Sequence, residues 1–75
     1  MQKFNFMIRH LFKEERRMII LDELKTKKRV VNKELADFLQ VSCNTIRQDI
    51  KDLARVNRLT IVHGGALPIE PNSVR

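Results

Sequence analysis

The chain has 75 residues, 15 of them Lys or Arg against 9 Asp or Glu, for a formal net charge of +6. That length allows one small domain with a core near the lower limit for unaided folding, and a composition 43% hydrophobic and 32% charged fits a globular domain, not a disordered tail. The longest apolar run, Met18 to Leu21, is far shorter than the roughly twenty residues of a membrane span, and a lone cysteine, Cys43, excludes an internal disulfide and predicts a reducing compartment.

Residues 1–12 contain Phe4, Phe6, Met7, Ile8, Leu11 and Phe12, but Lys3, Asn5, Arg9 and His10 interrupt them and no small-residue cleavage site follows. No secretory signal is expected, and the cytoplasm is the expected location. The helical spacing of Phe4, Ile8, Leu11 and Phe12 predicts an N-terminal extension that covers the core; a contact with a second copy is the alternative.

Three helical patterns follow. The first runs from about Lys13 to Lys27, with Ile20, Leu21 and Leu24 on one face, Arg17 at its edge, and Glu14, Glu15, Asp22, Glu23 and Lys25 toward water. Acidic residues open it and Lys25, Lys27 and Lys28 close it, as the helix dipole favours. Arg29-Val30-Val31 is extended in character, because adjacent β-branched residues favour strand. Asn32 is the expected N-cap of a short helix over about Lys33 to Leu39, where Leu35, Ala36 and Leu39 make an apolar side with room for a close neighbour. Gln40-Val41-Ser42 then separates two helices by three residues, the spacing of a helix-turn-helix.

Ser42 is the expected cap of the third helix, its hydroxyl accepting from the N–H of Thr45, with the helix running from Cys43 to about Asn57. On a wheel of about 100° per residue, Ile46, Ile50 and Leu53 form an apolar face. Asn44, Arg47, Gln48, Lys51, Arg55 and Arg58 share another sector, and Thr45, Asp49, Asp52 and Val56 fill the rest, so both aspartates stay off the basic stripe. Leu59 to Val62 reads as a strand, His63-Gly64-Gly65 as a hairpin turn, and Ala66 to Ile69 as a short return in which Pro68 suits only an edge. Residues 70–75 read as a tail or linker.

The segregated stripe carries the chemistry. Arg and Lys can donate to guanine O6 and N7, Gln and Asn can pair with adenine N6 and N7, and a helix N-terminus such as that at Ser42 can hold a phosphate. A solvated charged face is the plain alternative, but the short turn, the preceding helix and the following hairpin together favour a DNA reader. The hairpin would be a wing, with His63 a contact and the glycines allowing close backbone approach; a simple closure of the core competes with that role. His10, His63 and Cys43 lack the close pairing of a zinc site, Cys43 has no base nearby in sequence, and no Gly-Lys-Ser/Thr follows the glycines, so no catalytic residue, metal or cofactor is expected and an enzyme is not indicated.

Arg16, Ile20 and Leu24 at intervals of four, then Ser42-Cys43-Asn44-Thr45-Ile46-Arg47-Gln48-Asp49-Ile50, then Val62-His63-Gly64-Gly65-Ala66, resemble in residues and spacing the N-terminal DNA-binding domain of the DeoR family of bacterial transcription regulators. The resemblance covers about Lys13 to Ala66. It implies a mainly α, three-helix winged helix-turn-helix with a small β-hairpin over residues 13–69, usually repressing operons of sugar metabolism. In that family a larger C-terminal domain binds a phosphorylated sugar, so a sugar-phosphate effector is expected only if such a domain exists. Two positions depart from the family pattern: Gln40 stands where Gly is common at the turn, at about 1–2 kcal/mol if left-handed, and Gln48 stands where a second basic residue is common.

The expectation is sequence-specific binding of a double-stranded DNA operator. Arg47, Gln48 and Asn44 are the candidates for base edges, and Ser42, Thr45, Lys51, Arg55 and Arg58 for phosphates, with His63, Gly64 and Gly65 at the wing. A homo-oligomer on paired half-sites is expected and a membrane partner is not. The rival is a winged-helix module that binds an acidic protein without reading DNA; RNA binding is weakened because no aromatic residue interleaves with the stripe.

Overall fold

A computed structural model describes residues 12–69. The expected N-terminal extension, apart from Phe12, and the tail at 70–75 lie outside the described residues. In chain order the elements are α1 (Lys13–Lys27), β1 (Val30–Val31), α2 (Asn32–Leu39), α3 (Cys43–Arg55), β2 (Leu59–Val62) and β3 (Gly65–Pro68). This is the mainly α, three-helix winged helix-turn-helix fold that the patterns predicted.

One face of each helix builds the core. Ile20 and Leu24 come from α1, Leu35, Ala36 and Leu39 from α2, and Ile46, Ile50 and Leu53 from α3, with Val30, Leu59 and Ala66 closing it from the strands. All eleven are buried. A buried Leu or Ile is worth about 1.5–3 kcal/mol relative to exposure, and so few of them leave little surplus in a domain this size.

The strands hold the first departure from expectation. The return strand is central, not an edge: the order is β1-β3-β2, all antiparallel. Val30 faces Ala66 and Val31 faces Gly65, so the extended Arg29–Val31 segment becomes a third strand on the far side of the hairpin. Pro68 is tolerated because β1 stops at the register of Ala66, and Pro68 pairs only with Leu59 on β2. The turn proper is His63-Gly64, because Val62 pairs with Gly65. Gly65 thus belongs to the sheet, and only Gly64 of the turn has positive φ, at 77°.

Helix ends show the second departure. Val31, not Asn32, occupies the capping position of α2, and it does so without a side-chain bond. The reason is the strand: Val31 is held extended by pairing with Gly65, and the Asn32 N–H donates to the Gly64 carbonyl at 2.9 Å, so the helix starts where the ladder stops. The third helix ends at Arg55, two residues short of Asn57, which takes a left-handed φ of 61° and donates its N–H to the Ala54 carbonyl. Asparagine tolerates that conformation better than most residues. At the other end the Thr45 N–H donates to Ser42 Oγ at 3.1 Å, as expected of a cap.

Gln40 is left-handed, with φ 59° and ψ 44°, and its N–H donates to the Ala36 carbonyl to close α2. A Gln40→Gly variant is therefore expected to raise stability by about 0.5–1 kcal/mol, the relief of left-handed strain less the entropy lost by glycine. Urea denaturation followed by circular dichroism measures it; a destabilised variant would mean that the Gln40 Nε2 bond to the Asp37 carbonyl outweighs the strain.

Candidate nucleic-acid interface

The amphipathic pattern of α3 sorts its side chains in space as the wheel predicted. Ile46, Ile50 and Leu53 face the core, while Asn44, Arg47, Gln48, Lys51 and Arg55 are exposed together with the N-capping Ser42. Thr45 is half-buried and its hydroxyl lies 3.0 Å from Ser42 Oγ, so these two oxygens form a local pair at the helix start. Arg47 Nη1 donates to Asn44 Oδ1 at 2.8 Å, one turn back along the exposed face. Two of the three candidate base readers are therefore presented as a linked pair in the free protein.

The wing is fastened to this helix through the sheet. The bond from Asn32 to Gly64 joins the start of α2 to the hairpin turn, and β1 ties the hairpin back to the helical body. An open groove results between α3 and the wing, lined by Arg47 and Lys51 from α3, His63 and Gly64 from the wing, and Asn32 and Lys33 from the start of α2. His63 and Gly64 are exposed; Gly65 is buried. A Cβ on Gly65 would lie 1.9 Å from the Val30 carbonyl oxygen, so its missing side chain lets β1 and β3 meet. That reason differs from the close approach to a nucleic-acid backbone expected from sequence.

Lys33 was not singled out by the sequence reading. A signal was present: a cation in the first turn of a helix opposes the dipole, so its charge is not there to stabilise α2. Arg58 moves the other way. Because α3 stops at Arg55, the wheel phase does not extend to Arg58, which lines a separate groove with Leu21, Lys25, Lys28 and Pro68. The structure thus separates Arg58 from the stripe to which the wheel assigned it.

The two aspartates divide between core and border. Asp49 is 1% exposed and carries a two-pronged ion pair with Arg16 of α1, Nε to Oδ2 at 2.6 Å and Nη2 to Oδ1 at 3.0 Å. That hydrogen bond pushes the Arg16 guanidinium above its ordinary range, with burial working against it. Arg17 lies beside it, its Nε 3.9 Å from Asp49 Oδ1 and its Nη2 bonded to Asp52 Oδ2. Asp52 is half-buried, and its other oxygen accepts from Gln48 Nε2 at 3.1 Å and Arg55 Nη1 at 3.2 Å. Arg55 is consequently a paired cation in the free protein. Periodicity placed both aspartates off the stripe but could not show that they bind α1, because Arg16 and Arg17 lie more than thirty positions away.

Two long-range guanidinium–carboxylate pairs thus hold α1 across the back of α3 while its basic front faces out. The same arrangement of helix, three-residue turn, helix and hairpin runs through the segment that matches the DeoR-like helix-turn-helix domain, residues 16–72. The chain belongs to the DeoR-like helix-turn-helix family. It is thereby a DNA-binding domain of the transcription-regulator class. This DeoR-like domain is similar to the HTH-type transcriptional repressor GlcR of Bacillus subtilis (strain 168), with 37% identity over 57 residues, 76% of this chain. The chain spans about a fifth of that protein, 22% of its length. No solved structure matches the chain. Among the described residues, no helix of the DeoR-like domain is long and apolar enough to cross a membrane.

Proposed function

We propose that this DeoR-like domain reads a double-stranded operator with α3 in the major groove, as the DNA-binding part of a repressor of sugar-metabolism genes acting in the cytoplasm. The observation that carries the reading is the sorting of α3, which buries Ile46, Ile50 and Leu53 and presents Asn44, Arg47, Gln48 and Lys51 together on its free face. Arg47, Asn44 and Gln48 contact base edges. Lys51, Ser42, Thr45 and Lys33 position the phosphate backbone, with His63 and Gly64 approaching it from the wing and Arg55 joining once drawn from Asp52. The likeness to a named repressor supports the direction of regulation. A sugar phosphate enters as effector only through a further domain, and two copies on half-sites about 10 bp or a multiple apart supply the length of a specific operator.

Selection of bound duplexes from a random pool, followed by sequencing, tests the reading: an enriched half-site is expected. Absence of any enriched sequence would favour a protein-interaction module instead. Arg47→Ala is expected to cost about 1–3 kcal/mol of binding and to blur preference at one position. Lys51→Ala should weaken all duplexes alike and reduce the salt slope by about one. Filter binding across a salt series separates the two patterns, and an Arg47→Ala domain with intact affinity and preference would remove Arg47 from the reading set.

A further inference from the structure

Gln48 is a candidate base reader whose amide is held by a carboxylate and is not free to choose its orientation. Its Nε2 donates to Asp52 Oδ1 at 3.1 Å. An ionised carboxylate only accepts, so the amide group facing it must be the donor end. Asp52 is held in place from behind, because Arg17 of α1 bonds its Oδ2. The carboxylate is half-buried between the two helices. Gln48 itself is exposed on the face that carries Arg47 and Asn44.

Resting on the DNA-reading function proposed above, we infer that Asp52 is a positioning residue that sets which base Gln48 reads. With one N–H committed to Asp52, the amide offers the groove its Oε1 acceptor and its second N–H. That pair complements adenine, whose N6 donates and whose N7 accepts. Guanine presents acceptors at both O6 and N7, so the held Oε1 would meet a lone pair where it needs a proton. An unheld glutamine could instead turn both N–H groups of its amide to guanine O6 and N7, and so serve either purine. Asp52, which need not touch DNA, therefore converts an ambiguous side chain into an adenine reader, and α1 enforces the choice through Arg17.

The test is competition binding of the full 75-residue chain to duplexes that differ by adenine or guanine at one position of the selected site. Wild type is expected to prefer adenine at a position where Gln48→Ala removes the preference. Asp52→Asn, which can donate as well as accept, is expected to lower the adenine-to-guanine ratio there roughly tenfold while leaving the position read by Arg47 unchanged. In a Gln48→Ala background Asp52→Asn should leave the ratio unaltered. Because both duplexes compete for one sample, a lower folded fraction in the variant cancels from the ratio. An adenine preference unchanged by Asp52→Asn, an equal loss in the Gln48→Ala background, or a Gln48→Ala profile identical to wild type would each overturn the inference while operator reading stands. A wild-type chain that enriches no sequence would overturn the reading and this inference with it.

Discussion

Asp49→Ala is expected to lower the stability of the domain by about 3 kcal/mol or more, enough to leave much of it unfolded at 37 °C. Removing one partner of a buried ion pair takes from the other charge its nearest counter-charge, at about 3–5 kcal/mol. Arg16 retains slight solvent access, 13% of its side chain, which puts the cost toward the lower end. Arg17 adds to the loss, since its Nε already lacks a hydrogen bond and lies near Asp49. A domain this small has only a few kcal/mol in reserve. Urea titration and thermal melting by circular dichroism measure the change. An apolar replacement of both partners, Arg16→Met with Asp49→Leu, should recover a substantial part of the loss, because no charge is then left buried. A loss below about 1 kcal/mol for Asp49→Ala would mean that the ion pair does not anchor α1 on α3.

The second large effect is at the sheet. Gly65→Ala puts a methyl group 1.9 Å from the Val30 carbonyl oxygen, 3.0 Å from the Val30 carbonyl carbon and 3.2 Å from the Val31 Cα. These are backbone atoms of the strand paired with Gly65, so no side-chain rotation relieves the overlap. Either β1 parts from β3 or the hairpin tilts, and a cost of about 3 kcal/mol follows. The adjacent Gly64 is the control. It has open space for a Cβ but a φ of 77°, so Gly64→Ala meets backbone strain alone, about 1–2 kcal/mol. Denaturation of the two variants side by side checks the ranking, and amide exchange at Val30 and Ala66 reports whether the β1–β3 pairing opens. Equal losses would remove the steric explanation for Gly65. Since the bond from Asn32 to Gly64 joins α2 to the wing, a displaced hairpin should also weaken binding to any duplex without changing the preferred sequence.

How far the fold could be read from the chain differs by element. The boundaries of α1 and β2 follow from local periodicity and from β-branched residues, and the predicted spans agree with the structure at Lys13–Lys27 and Leu59–Val62. Ser42 was readable as a cap because its partner is three residues away. Asn32 misled because a good capping residue beside a strand was assigned from propensity, while the Asn32 N–H was claimed by Gly64, thirty-two positions further on. Arg58 misled because the wheel was extended past Asn57, where the backbone turns left-handed.

For the interface, the sequence alone determined the faces of α3: which residues are buried and which are exposed depends on 3.6-residue periodicity, a local property of the backbone. Tertiary structure decided everything that needs two distant segments in contact. It made Gly65 a requirement of strand pairing, brought Lys33 into the groove of Arg47 and Lys51, and bound Asp49 and Asp52 to Arg16 and Arg17. A carboxylate and a guanidinium meet at hydrogen-bonding distance only after the core has set the angle between their helices. Spacing along the chain records the side from which each group projects, and the packed core determines what it meets there.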